Sequence, residues 1–212
     1  MLTSILLNRA LRVVGDTGLT TQALEWLENV LYELESVGNW RFLETSATQV
    51  TSNAVDNYAL PATYSKGLFV TSDEPRVLIQ VPKHVFEEMK QSAETGNPKF
   101  FAIWDNKVYL YPKPVTGALP TLTLWFFEKI TIPTSGQDFN TITGIPAKWN
   151  KYAMDGVISE GFAYTDDTRQ DQARGKFEQD ILVMVRENEE FFRFREAQVD
   201  RSSTQVRPEV HQ

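Results

Sequence analysis

The spacing of hydrophobic and polar positions changes character twice along the chain. At the start, Ile5, Leu6, Ala10, Val13 and Val14 recur with a helical period and stop at Gly15. Ala23, Leu24, Leu27, Val30, Leu31 and Leu34 then form one apolar stripe, with Glu25, Glu28, Glu33 and Glu35 largely off it. That pattern predicts a second helix, capped by Thr20 or Thr21 and ended at Gly38. From Thr45 to Thr131 the grain differs: Thr, Val, Tyr and Phe are dense, and Pro and Gly interrupt often, which predicts strands and turns. The strands expected are Thr45–Val50, Tyr58–Ala59, Gly67–Thr71, Arg76–Val81, Lys99–Trp104, Lys107–Tyr111 and Thr121–Glu128. Asp105-Asn106 reads as a tight hairpin turn, the last strand reads as central, and His84, Val85, Phe86 and Met89 suggest a short helix. Thr131 to Ile145 reads as a polar linker.

Beyond Pro146 the helical period returns. Trp149, Tyr152, Ala153, Val157, Ile158 and Phe162 make a stripe, and Asp166-Asp167 mark a turn. A long last helix, from about Thr168 to Ala197, carries Ala173, Phe177, Ile181, Met184, Val185 and Phe192 on one face. Each helical end alone is too small to bury its stripe well. The arrangement expected is therefore α+β: residues 1–44 and 146–197 form a helical bundle, and a mainly antiparallel β domain, 45–145, is inserted between them. Residues 198–212 are polar and contain Pro208, which predicts an extended tail.

Composition narrows the chemistry. The 212 residues contain no cysteine and two histidines, His84 and His211, so thiolate metal sites, cysteine nucleophiles and His-rich metal sites are excluded. Twenty-eight acids against 21 bases give a formal charge of −7. No region carries the basic surplus of a phosphate-backbone binder. No stretch reaches the ~20 apolar residues of a membrane span. Phosphate-loop, dinucleotide and nucleophile-elbow motifs are missing. The paired acids Glu87-Glu88, Asp166-Asp167 and Glu189-Glu190 are sequence neighbours that point apart on a helix or cap one. Asp166, Asp167 and Asp171 do not have the spacing of a calcium loop. No catalytic, cofactor or metal residue is assigned. The aromatics of the β region read as core and protein contact surface rather than as stacking platforms. Phe191, Phe192 and Phe194 beside Arg195 cannot all face one helical stripe, and aromatics next to arginine are the composition of a binding hot spot.

Several short elements occur in a characteristic order: Asn39-Trp40-Arg41-Phe42-Leu43-Glu44, then Tyr58-Ala59-Leu60-Pro61, then a Gly-x-Pro-x-x-Phe-Ala-x-Trp hairpin ending in Leu-Tyr-Pro-x-Pro between Gly96 and Pro114. The strand Leu122–Phe126 follows, then Ile145-Pro146-Ala147-Lys148-Trp149 opening a helix, then Asp166-Asp167 and a long terminal helix. In this order the chain resembles the head-to-tail adaptor proteins of tailed bacteriophages, including the tail accessory factors of short-tailed phages. The resemblance reaches to about Phe194.

It implies a non-enzymatic structural subunit of a ring, usually of twelve copies, below the portal vertex. The helical bundle would form the ring wall, and the C-terminal segment would reach the portal protein. The β domain would face the next tail or nozzle protein. DNA would pass through the lumen without specific binding, and the acidic surplus suits such a channel. The portal contact expected comprises Phe191, Phe192, Phe194, Arg195, Arg201 and Arg207, the arginines pairing with portal carboxylates. The location implied is the head–tail interface of the virion, reached from the host cytoplasm during assembly, with no cofactor and no membrane partner. The rival readings are a tail-associated cell-wall hydrolase, which needs two carboxylates converging in a cleft, and a carbohydrate-binding module presenting Trp104 and Trp125.

Overall fold

The computed structural model describes residues 1–73, 76–115 and 120–203, the side chains of 76 and 191–203 excepted. Among the described residues there are six α-helices: α1 (Thr3–Val14), α2 (Thr20–Val37), α3 (Lys83–Lys90), α4 (Phe139–Thr143), α5 (Asn150–Tyr164) and α6 (Gln170–Ser203). The eight strands are β1 (Glu44–Val50), β2 (Asn57–Ala59), β3 (Tyr64–Ser72), β4 (Arg76–Val77), β5 (Ile79–Gln80), β6 (Phe100–Trp104), β7 (Lys107–Tyr111) and β8 (Thr121–Glu128). The fold is α+β. The chain divides into two compact units, one drawn from Met1–Phe42 and from Ile130 onward, the other Leu43–Lys129.

In the helical unit, α5 is the central helix, buried on several sides, and α1, α2 and α6 pack on it. Two glycines make this close packing possible. A Cβ on Gly156 would lie 2.8 Å from both Val30 and Phe177, and one on Gly161 would lie 2.6 Å from Val14. The apolar stripes face inward as their spacing requires: Leu6, Leu7, Ala10, Leu11 and Val14 from α1, and Ala23, Leu27, Val30, Leu31 and Leu34 from α2.

Three sequence expectations change in this unit. Neither Thr20 nor Thr21 caps α2; Leu19 is the flanking residue, and no side chain bonds the free N–H groups there. The segment read as a polar linker is a packed strap containing α4, with Ile130, Phe139 and Ile145 buried. It supplies backbone acceptors to the start of α1, where Thr3 N–H donates to Gln137 O and Ser4 N–H to Ser135 O, both at 3.0 Å. Those bonds satisfy amides that a helix N-terminus otherwise leaves open. The Met1 ammonium adds an ion pair to Asp138 at 2.6 Å, and Asp138 also caps α4 by accepting from Thr141 N–H. Finally, α6 continues past Ala197 to Ser203, into the region expected to be extended. Polar helix-compatible residues carry no long-range signal, so sequence alone does not mark where such a helix stops.

The β unit holds two four-stranded sheets, ordered β1-β8-β3-β4 and β2-β7-β6-β5. β8 lies between β1 and β3, as its apolar content suggests. The expected strand Arg76–Val81 is in fact two: Val77 pairs with Thr71 of β3, whereas Ile79–Gln80 runs parallel to β6. The chain crosses from one sheet to the other at Leu78, whose buried side chain joins Val70, Phe101, Val108, Leu110, Leu122, Leu124 and Phe126 in one core. Asp105 and Asn106 both have positive φ, 51° and 53°, the geometry of a two-residue hairpin turn. α3 covers β6 and β7 through Phe86, which sits among Trp104, Tyr109 and Tyr111.

Candidate functional site

The residues expected to contact a partner fall on the last third of α6. Phe191, Phe192, Phe194, Arg195 and Arg201 all belong to its helical backbone, and their side chains lie outside the described residues, as does Arg207 entirely. Just before them, α6 takes part in a well-defined structure. Asn188 is buried and bridges two backbone groups: its Oδ1 accepts from Arg41 N–H at 3.0 Å, and its Nδ2 donates to Asn39 O at 2.8 Å. The turn after α2 is thereby pinned to α6. Trp40, within this turn, is fully buried and donates its indole N–H to Leu34 O.

Trp40, Phe42 and Trp149 pack as an aromatic triad with ring centroids 5.7–5.8 Å apart, a geometry that adds to simple area burial. Trp40 and Phe42 from the first motif and Trp149 from the second are thus the two halves of one contact. Beside the triad lies a groove of about 340 Å³ lined by Arg41, Phe42, Pro146, Lys148, Trp149, Glu187 and Asn188. Glu187 accepts from Lys148 and, at 3.0 Å, from Trp149 Nε1. The Lys148 ammonium, with the indole second, holds the Glu187 carboxyl below its ordinary range. Lys148 and Glu187 thus neutralise one another in the groove, and Phe42 and Trp149 give it aromatic walls.

Sequence reasoning missed a second polar feature. Asp155, in the middle of α5, is only 5% exposed. Its Oδ2 lies 2.9 Å from Lys176 Nζ and 4.0 Å from Lys151 Nζ. Asp180 of α6 neighbours it, and burial first, then Asp155, pushes the Asp180 carboxyl above its ordinary range while the two lysines oppose that shift. The signal was a lone aspartate on the apolar face of a helix otherwise set by Ala153, Val157 and Ile158. Such a pair, held under two lysines inside the helix packing, links α5 to α6.

The acidic pairs weighed from sequence have structural roles or none. Asp167 accepts from Arg169 through its backbone and guanidinium, and that partner lowers its pKa to about 2. Glu87, Glu88, Glu189 and Glu190 are exposed, as is His84. Among the described residues no three His, Cys, Asp or Glu side chains gather as a metal site, and no helix is long and apolar enough to cross a membrane. Trp104 is stacked on Tyr109 at 3.5 Å between centroids and sits beneath Lys83, so its ring is already occupied; Trp125 is 42% exposed.

No curated protein matches the chain. The SU10 adaptor protein family does match, over residues 1–208, and that span takes in both units and nearly the whole of the sequence. The chain therefore belongs to the SU10 adaptor protein family, a phage head-to-tail adaptor family.

Proposed function

We propose that this adaptor is a non-enzymatic subunit of a ring, of about twelve copies, that joins the portal protein to the next tail component and lets DNA pass through its lumen. The observation that carries the reading is the family match across residues 1–208. Several features support it. The helical unit is tied together by the turn that Asn188 pins and by an aromatic triad. α6 has 34 residues against 15 in α5. At ~1.5 Å per residue it is more than twice as long as the helix it packs on. Its terminal third carries Phe191, Phe192, Phe194, Arg195 and Arg201, a composition suited to a hot spot on a portal surface, with Arg207 following. The formal charge of −7 suits a channel along which DNA slides without adhering.

The test is size-exclusion chromatography with light scattering, on the protein alone and mixed with the cognate portal ring. Uptake of about twelve copies per portal is expected, and replacing Arg195 and Arg201 with Glu should weaken it without unfolding the helices. A protein that neither self-associates nor binds the portal would overturn the reading.

A further inference from the structure

The first two helices each offer solvent one sign of charge. α1 contains no Asp or Glu, and its outward positions are Ile5, Asn8, Arg9, Arg12 and Val13. α2 contains no Lys or Arg, and its outward positions include Glu25, Asn29 and Tyr32, with Glu28 half-buried beside them. Both faces also expose large apolar groups: Ile5 and Val13 on one, Tyr32 on the other.

Several other charges in this unit are paired within the chain, as in Arg174–Glu33, Lys148–Glu187 and Lys176–Asp155. Among the described residues, Arg9, Arg12 and Glu25 have no such partner. Glu28 accepts only the Tyr32 hydroxyl, at 2.9 Å. The unsatisfied charge of the unit's first two helices is thus sorted by sign onto two faces, each beside exposed apolar surface.

We propose that the α1 face of one copy docks on the α2 face of a second copy, and that this is the subunit contact of the ring. The inference rests on the ring reading above and says which surfaces make it. A closed ring of identical subunits needs two different, mutually complementary faces on each subunit, because the contact is head-to-tail. These two faces meet that requirement. Arg9 and Arg12 are three residues apart, as are Glu25 and Glu28. Both separations span about 4.5 Å along a helix, so two ion pairs form side by side in one register. Ile5, Val13 and Tyr32 supply the apolar contact, and the charges choose the partner face and suppress α1–α1 and α2–α2 pairing by like-charge repulsion.

The test is charge reversal, read as self-association alone and on the portal ring. Arg9→Glu with Arg12→Glu should weaken assembly at least ten-fold, and so should Glu25→Arg with Glu28→Arg. Both reversals in one chain should restore it, because the faces again match; restoration also shows that the variants fold. The chain has no cysteine of its own, so mixing an Arg12→Cys chain with a Glu25→Cys chain reports the contact directly, as a mixed disulfide that neither gives alone. Wild-type rings together with fully assembling reversals, or without any mixed disulfide, overturn this contact and leave the ring reading intact. A wild-type chain that never assembles overturns the ring reading and the contact with it.

Discussion

Two glycine-to-alanine substitutions in neighbouring helices should have opposite effects on stability. Alanine is favoured over glycine within a helix by about 0.5–1 kcal/mol, because glycine loses more backbone entropy. Gly175 in α6 has nothing within 4 Å of its Cβ position, so Gly175→Ala gains that preference. Gly156 in α5 is different. Its Cβ would lie 2.8 Å from Val30 Cγ2, 2.8 Å from Phe177 Cε2 and 2.9 Å from Phe177 Cζ. Both neighbours are buried, at 1% and 0% exposure. A ring held in a close-packed core cannot swing away freely, and forcing one carbon into such a site costs about 1–3 kcal/mol. Net of the helix gain, Gly156→Ala should destabilise by up to about 2.5 kcal/mol. At this chain length a kilocalorie moves the midpoint by about 2–4 °C. Thermal melts followed by circular dichroism at a helix wavelength should therefore show Gly175→Ala above the parent and Gly156→Ala below it. If Gly156→Ala melts at or above Gly175→Ala, the close α5 packing on α2 and α6 is wrong.

Asn188→Ala removes the bridge to Arg41 N–H and Asn39 O and leaves two backbone groups short of a partner. It should cost about 1–3 kcal/mol in a urea unfolding series, and an unchanged midpoint would count against the pinned turn. Two shifted carboxyls set the sign of the pH dependence. Asp180 is raised in the fold, so the folded state holds its proton more tightly, and the stability this confers is lost as pH rises through the raised value. Asp180→Asn should therefore raise the melting temperature at pH 8 more than at pH 4. Asp138 runs the other way: its pKa, lowered to about 2 chiefly by the Met1 ammonium, gives stability present above the ordinary carboxylate pKa and lost as pH falls towards 2. Asp138→Asn should flatten that acid limb in the same melts.

Periodicity and residue type marked most of the helices and strands of this chain, but not α4, the end of α6 or the break at Leu78. A stripe at three- and four-residue spacing or an alternating run needs only the local geometry of one element, so α1, α2, α5, β1, β7 and β8 were legible from it. The turn at Asp105-Asn106 was legible for the same reason: few residues tolerate positive φ. The order of short motifs likewise identified the adaptor family, because turn and packing elements keep their sequence when they form one contact. Tertiary structure decided what depends on residues far apart in the chain. Glu44–Val50 pairs with Thr121–Glu128 only because the chain returns there. The run from Arg76 to Val81 splits between two sheets because the buried Leu78 side chain joins the core they share. The strap around Phe139 is recruited because the open amides of α1 need acceptors. Asp155 is tolerated inside α5 because Lys176 of α6 reaches it at 2.9 Å, joined by Lys151 one turn earlier on α5. None of these has a local signature, since each is settled by a free-energy balance between groups that sequence distance does not relate.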